Sequence, residues 1–295
     1  MLFLKNRTGL NKIAIKVLYC LIILLYTSAE SVFGEVDKSN ISMLRDNNSK
    51  KESVIGEHES LTDFRAYKSN YILPVTFIDS YSDRQEKEVK FQISFKQELF
   101  AINRFHLFLG YTQKSLWQAY DGENSRPFRE TNYNPELFVE SPEFLNEFGQ
   151  TSLIMGLEHE SNGMVEPYSR SWNRIYVKMN HLISRFSIEL KSWYRLPESE
   201  KKYPLDPTGD ENPYIFDYYG FNELAIRFNI SKLMIKTFGR YNPGEKNGAV
   251  QIDIAYPILN RQMSWYCQYW NGYGESLIDY DKSFTKIGLG LMFTK

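Results

Sequence analysis

The sequence predicts an all-β fold, a twelve-stranded antiparallel β-barrel that crosses a membrane on its strands. Three observations lead there: hydrophobic residues recur at every second position along most of the chain, aromatic residues make up 16% of it, and it opens on a short apolar leader. Side chains of a strand point alternately to its two faces. In a membrane barrel one face meets lipid and the other the lumen, so apolar and polar residues alternate and their hydropathies cancel. The mean hydropathy of −0.44 is what such cancellation gives.

The leader comes first. Lys5, Arg7, Lys12 and Lys16 precede an apolar run from Val17 to Tyr26, about half the roughly 20 residues a membrane-spanning helix needs. That pattern predicts a secretory signal over residues 1–34, cleaved after Ala29 or Gly34. Residues 35–68 are polar and show no sustained period, and are expected to form a polar periplasmic arm. From 69 to 295 the period is two. Val89, Phe91, Ile93 and Phe95 alternate with Lys90, Gln92, Ser94 and Lys96, and Phe105, Leu107, Leu109 and Tyr111 with Arg104, His106, Phe108 and Gly110. The same holds from Phe186, Val250 and Ile287 onward. Weaker segments near Tyr71, Leu137, Leu153, Trp172, Ala225, Ile235 and Trp265 bring the total to about twelve, within the range of even-numbered barrels.

A soluble β-sandwich also alternates. The leader, the strand length near ten residues and the aromatics at strand ends, such as Trp265, Tyr266, Tyr269 and Trp270, favour the membrane. No later segment is long enough for a spanning helix. The formal net charge of −1 gives no basic field for nucleic acid. Cys20 lies inside the leader, so Cys267 would remain alone and no disulfide framework is expected.

Of four histidines, His58 falls in the arm, His106 shares the polar face of its strand, and His181 lies near an expected turn. His159 stands two residues before Ser161. Residues i and i+2 of a strand share a face about 7 Å apart, so an imidazole there can reach a hydroxyl and act as its base. Both continue the apolar row Leu153, Met155, Leu157, while Glu158 and Glu160 take the opposite face. A polar pair on the lipid side costs free energy unless it has a use or lies above the hydrocarbon. On the next strand Asn173 shares the apolar face with Ile175 and Val177. A hairpin centred near Glu166 sets it opposite His159, where its carbonyl would orient the imidazole. A neutral amide stabilises an imidazolium less than a carboxylate does, so a further source of charge is expected.

Four stretches in order, Asn70–Pro74, Tyr111–Gln118 with Arg126–Phe138, His159–Arg174 and Asn271–Tyr280, resemble the outer-membrane phospholipase A enzymes of Gram-negative bacteria. The resemblance runs from about Asn70 to Phe293. It implies an outer-membrane barrel that hydrolyses sn-1 and sn-2 acyl esters of phospholipids and lysophospholipids, with Ser161 as nucleophile, His159 as base and Asn173 as orienting residue. It further implies an oxyanion held by the Gly163 N–H and a calcium-polarised water. Calcium would lie at the interface of an activating homodimer, bound by the Ser169 hydroxyl, the Met164 carbonyl and Ser125 of the partner subunit, a set of oxygens suited to a hard cation. Met164 stands where the family usually has arginine, and Glu166 and Glu211 where its best-known members have aspartate. Glu211 joins the expected calcium ligands, and Gln113 the dimer interface. The final residues Met292–Lys295 depart from the usual aromatic ending.

Two other functions fit a barrel. One is a non-enzymatic pore or structural barrel, in which His159 and Ser161 merely end a strand at the membrane surface. The other is an outer-membrane protease, which would carry acidic residues around an aqueous cleft instead of an outward nucleophile.

Overall fold

Strands whose residues alternate in polarity can bury the polar row only by closing on themselves, and this chain does so. The computed structural model describes residues 64–79, 86–146, 148–203, 205–258 and 262–293. The leader, His58 and the arm before residue 64 lie outside these, as do Thr294 and Lys295. Two short strands, β1 (Arg65–Ala66) and β6 (Phe144–Asn146), accompany twelve long ones. The long ones are β2 (Asn70–Ile78), β3 (Lys87–Ile102), β4 (Phe105–Trp117), β5 (Phe128–Glu140), β7 (Gly149–Ser161) and β8 (Ser171–Ile183), then β9 (Phe186–Arg195), β10 (Asn222–Ile230), β11 (Leu233–Asn242), β12 (Asn247–Pro257), β13 (Met263–Tyr273) and β14 (Ser283–Phe293). A single five-residue helix, α1 (Ile215–Tyr219), is present among the described residues. Each long strand pairs antiparallel with its neighbours, β14 returns to β2, and β3 pairs with β4, so the ring has no open edge. This is the predicted twelve-stranded barrel. A sandwich would have left edges. Among the described residues no helix is long and apolar enough to cross a membrane, and crossing falls to the strands.

The outer wall is apolar. Ile93, Leu109, Leu137, Met155, Leu157, Ile254, Ile287 and Leu289 all stand exposed on it, as expected of a surface that lies in lipid. Inside, polar groups replace water with one another. Arg129 bridges Glu88 at 3.0 Å and Asp279 at 2.6 Å, while Lys286 meets Glu88 at 2.8 Å and Lys90 meets Glu275 at 2.9 Å. Across β7, β8 and β9, Lys191 and Arg174 hold Glu158 at 2.7 and 3.1 Å. Buried charges persist only when paired and hydrogen-bonded in this way. An aromatic group of Phe108, Phe138, Trp172, Tyr176 and Trp193 packs with Ile215 and Tyr219 of α1 and with Leu277. The lumen is filled.

Part of the expected arm belongs to the barrel. Arg65 and Ala66 pair with Lys96 and Phe95 of β3. Tyr67 stacks on Phe138 at 5.2 Å and Lys68 pairs with Glu136 at 2.5 Å. Polar residues are what a lumen accepts, so polarity alone did not separate tail from filling. His181 lies near the end of β8, two residues before its last at the turn to β9, and contacts Thr151 at 2.9 Å.

Close approach inside the barrel fixes some small residues. A Cβ on Gly156 would stand 2.7 Å from the Phe138 Cβ and 2.9 Å from the Tyr176 ring, and Tyr176 is held in turn by Glu136 at 2.9 Å. Overpacking of this sort costs about 1–3 kcal/mol. Gly156→Ala is therefore expected to lower the urea midpoint of the detergent-folded barrel. An unchanged midpoint would mean that the Phe138–Tyr176 contact is slack.

Candidate active site

The strand β7 is rotated by its inner face. Glu158 lies buried between Lys191 and Arg174, and Glu160 accepts from Trp172 Nε1 and Arg174 Nη2, both at 3.0 Å. With those two carboxylates turned inward, the pleat turns Met155, Leu157, His159 and Ser161 outward. Met155 and Leu157 are each 50% exposed, which fixes that face as the outer wall.

The β7–β8 register sets His159 opposite Asn173 and Ser161 opposite Ser171. The rung is closed by side chains: His159 Nδ1 and Asn173 Oδ1 lie 2.9 Å apart. An amide oxygen only accepts, so the imidazole donates from Nδ1, and Nε2 is the nitrogen left for Ser161. Among the described residues no hydrogen bond yet joins Ser161 to His159. Such contacts commonly tighten only with substrate bound.

Directly after Ser161 the hairpin loop is built on Asn162. This buried residue donates to the Tyr168 carbonyl at 2.9 Å and accepts from the Met164 and Arg170 backbone N–H at 3.2 and 3.0 Å. Gly163 follows with a φ of 65°, a left-handed conformation that favours glycine. A Cβ there would also touch the Tyr133 ring at 3.1 Å. Met164 and Ser169 sit on this loop, which contains a cis Glu166–Pro167 bond.

A second loop, residues 196–214, leans on the first. Arg195 binds Asp210 at 2.6 Å and the Asn212 carbonyl at 3.2 Å, which brings Glu211 to the Ser169 hydroxyl at 2.6 Å. Lys201 pairs with Glu166. The remaining Glu211 oxygen, Oε2, is buried without a hydrogen-bond partner. An orphaned carboxylate oxygen beside a hydroxyl is a pair of oxygens that fits a hard cation. Among the described residues no three of His, Cys, Asp and Glu converge as a metal site. Ser125 stands apart in the exposed turn between β4 and β5, with a φ of 60°. That turn opens at the same barrel end as the β7–β8 loop, since β5 runs antiparallel to β7. Gln113 is on the outer wall, receiving a hydrogen bond from the Tyr111 hydroxyl at 3.1 Å.

The model of the family described as phospholipase A1 matches residues 48–293 of the chain. The chain belongs to that family. It is 33% identical over 255 residues to phospholipase A1 of Klebsiella pneumoniae, covering 81% of this chain and 85% of that one. To the enzyme of Proteus vulgaris it is 33% identical over 289 residues, with 91% and 96% covered. Outer-membrane phospholipase A from Escherichia coli superimposes with a TM-score of 0.71 at 32% identity, covering 79% of this chain and 98% of that chain. The dimer of the Salmonella typhi outer-membrane phospholipase with bound calcium gives 0.72 at 31% identity, with 81% and 94% covered. Family and fold together place this phospholipase A1 homologue in an outer membrane.

Two residues at the site had escaped sequence reasoning. Asn162 lies on the inward side of the strand end, where a polar residue looks like lumen lining, although its place next to Gly163 is a turn signal. Glu198 stands with its Oε1 3.4 Å from Asn173 Nδ2. It arrives from a different loop, and no local pattern marks it.

Proposed function

We propose that this chain is a calcium-dependent phospholipase that cleaves sn-1 and sn-2 acyl esters at a Ser161–His159–Asn173 triad on its lipid-facing wall. The observation that carries the proposal is the closed His159–Asn173 rung, with Ser161 on the same outward face. Ser161 Oγ attacks the ester carbonyl carbon while His159 Nε2 takes the hydroxyl proton. Asn173 accepts from Nδ1–H and so holds the ring in the tautomer whose Nε2 is a base. The tetrahedral oxyanion falls to the Gly163 N–H. The imidazolium then returns its proton to the leaving glycerol oxygen, and water releases the fatty acid by the same steps in reverse roles. In the E. coli relative, replacing an asparagine gave a protein described as an active-site mutant, which supports the part assigned to Asn173.

Asn173 is neutral, so charge must come from elsewhere. Calcium held by the Ser169 hydroxyl, the Met164 carbonyl and Glu211 supplies electrophilic stabilisation of the oxyanion when bound. The calcium-bound dimer of the S. typhi relative supports completion of that shell by a second copy, through Ser125 of the partner subunit, with Gln113 in the shared wall. A filled lumen speaks against a pore. Purified chain in mixed micelles of phospholipid and detergent is expected to release fatty acid when calcium is present. No release at any calcium concentration would overturn the proposal.

A further inference from the structure

We propose that Glu198 is a positioning residue of this site, holding the Asn173 amide so that its oxygen faces His159 and standing behind that amide as the triad's negative charge. This rests on the triad assignment above. Backbone geometry brings Glu198 there. The β8–β9 ladder ends with Arg174 opposite Arg195, and one further bond, Leu196 N–H to the Asn173 carbonyl at 2.8 Å, extends it to the site. Pro197 follows where β9 has ended. Glu198 presents Oε1 at 3.4 Å from Asn173 Nδ2, a long contact of the kind that closure around substrate shortens. Among the described residues this is the only hydrogen bond Glu198 makes.

An amide has one accepting and one donating end, and rotation by half a turn exchanges them. With nothing beyond it, Asn173 could offer His159 either end, and the donating end would force the imidazole into the wrong tautomer. An ionised carboxylate only accepts. By taking the Nδ2–H it leaves Oδ1 for His159 Nδ1–H, so each bond in the chain Glu198–Asn173–His159 fixes the next. The same carboxylate places a full charge two bonds from the imidazolium that forms in the transition state, where Asn173 alone offers only a dipole. Three other charged groups face Glu198: Arg195, Asp210 and Glu211. Arg195 is shared with Asp210, which it binds at 2.6 Å. Burial pushes the Glu198 carboxyl up from its ordinary value, against the opposing pull of Arg195.

Kinetics of Glu198→Ala, Glu198→Gln and Glu198→Asp in phospholipid mixed micelles test this, with Ser161→Ala as the control. Supporting residues of this kind are worth about 10- to 100-fold in activity. Alanine and glutamine are expected to lower kcat in that range, with KM and the calcium concentration for half-maximal activity little changed. Aspartate is expected to restore part of kcat. Losing the negative charge makes the imidazole less basic, so the acidic limb of kcat/KM should move to lower pH in Glu198→Gln. Wild-type kcat and an unmoved pH profile in both Glu198→Ala and Glu198→Gln, with Ser161→Ala inactive, would overturn the inference and leave the triad standing. A loss of calcium response in proportion to kcat would also overturn it, since Glu198 would then merely shape its loop. Absence of Ser161-dependent hydrolysis in the wild-type chain would remove the triad and the inference together.

Discussion

Ser161→Ala is expected to lower phospholipid hydrolysis by at least about ten-thousandfold and to leave the barrel folded. The side chain points outward at the last residue of β7, away from the ion pairs that fill the lumen, so its removal takes no partner from a buried charge. A hydroxyl deleted from the outer wall should cost little stability. Chemistry, by contrast, would lose the attacking atom of the proposed triad. What remains is stabilisation by the Gly163 amide, worth a small part of the whole. Fatty-acid release from mixed micelles measures the activity, and heat-modifiable electrophoretic mobility reports the fold. Undiminished release in a folded variant would sink the assignment of Ser161 as nucleophile.

Removal of calcium is expected to have the second-largest effect, a fall of about 100- to 1,000-fold, the size seen when one oxyanion contact is lost. It should also shift the protein toward the monomer. Both follow from the same incomplete shell. Glu211 Oε2 is buried and unpartnered, and Oε1 of the same carboxylate accepts from the Ser169 hydroxyl. Without the cation, that Oε2 oxygen lacks a partner. In the proposed dimer, Ser125 of the partner subunit would add a further oxygen to that shell. Chelator titration followed in parallel by activity and by cross-linking checks the two together. Full activity in a monomeric, calcium-free preparation would refute the coupling.

The outer half of this site was legible in the sequence because a strand writes its two faces at odd and even positions. Leu153, Met155 and Leu157 declared the face, His159 and Ser161 continued it, and the short spacing to Asn173 allowed one hairpin register. The structure keeps that register. Glu198 and the pairing of Glu211 with Ser169 were not legible in this way. They reach the site through a loop closed by Arg195 and Asp210, and such closure depends on contacts distant in sequence. Tyr67 and Lys68 were hidden for another reason: a lumen accepts the same polar residues as a solvated tail. The ion pairs between Arg129, Glu88 and Asp279 join β5, β3 and the β13–β14 loop, and no periodicity reports which lysine or arginine meets which carboxylate.

The filled interior has a consequence for supply. Among the described residues side chains fill the axis, so at the proposed site a substrate would come sideways, diffusing within one leaflet until it grazes the wall at Ser161. The relevant concentration is then lipids per unit area and not molecules per volume. A change in leaflet composition would then act as a change in substrate dose without any signal passing through water.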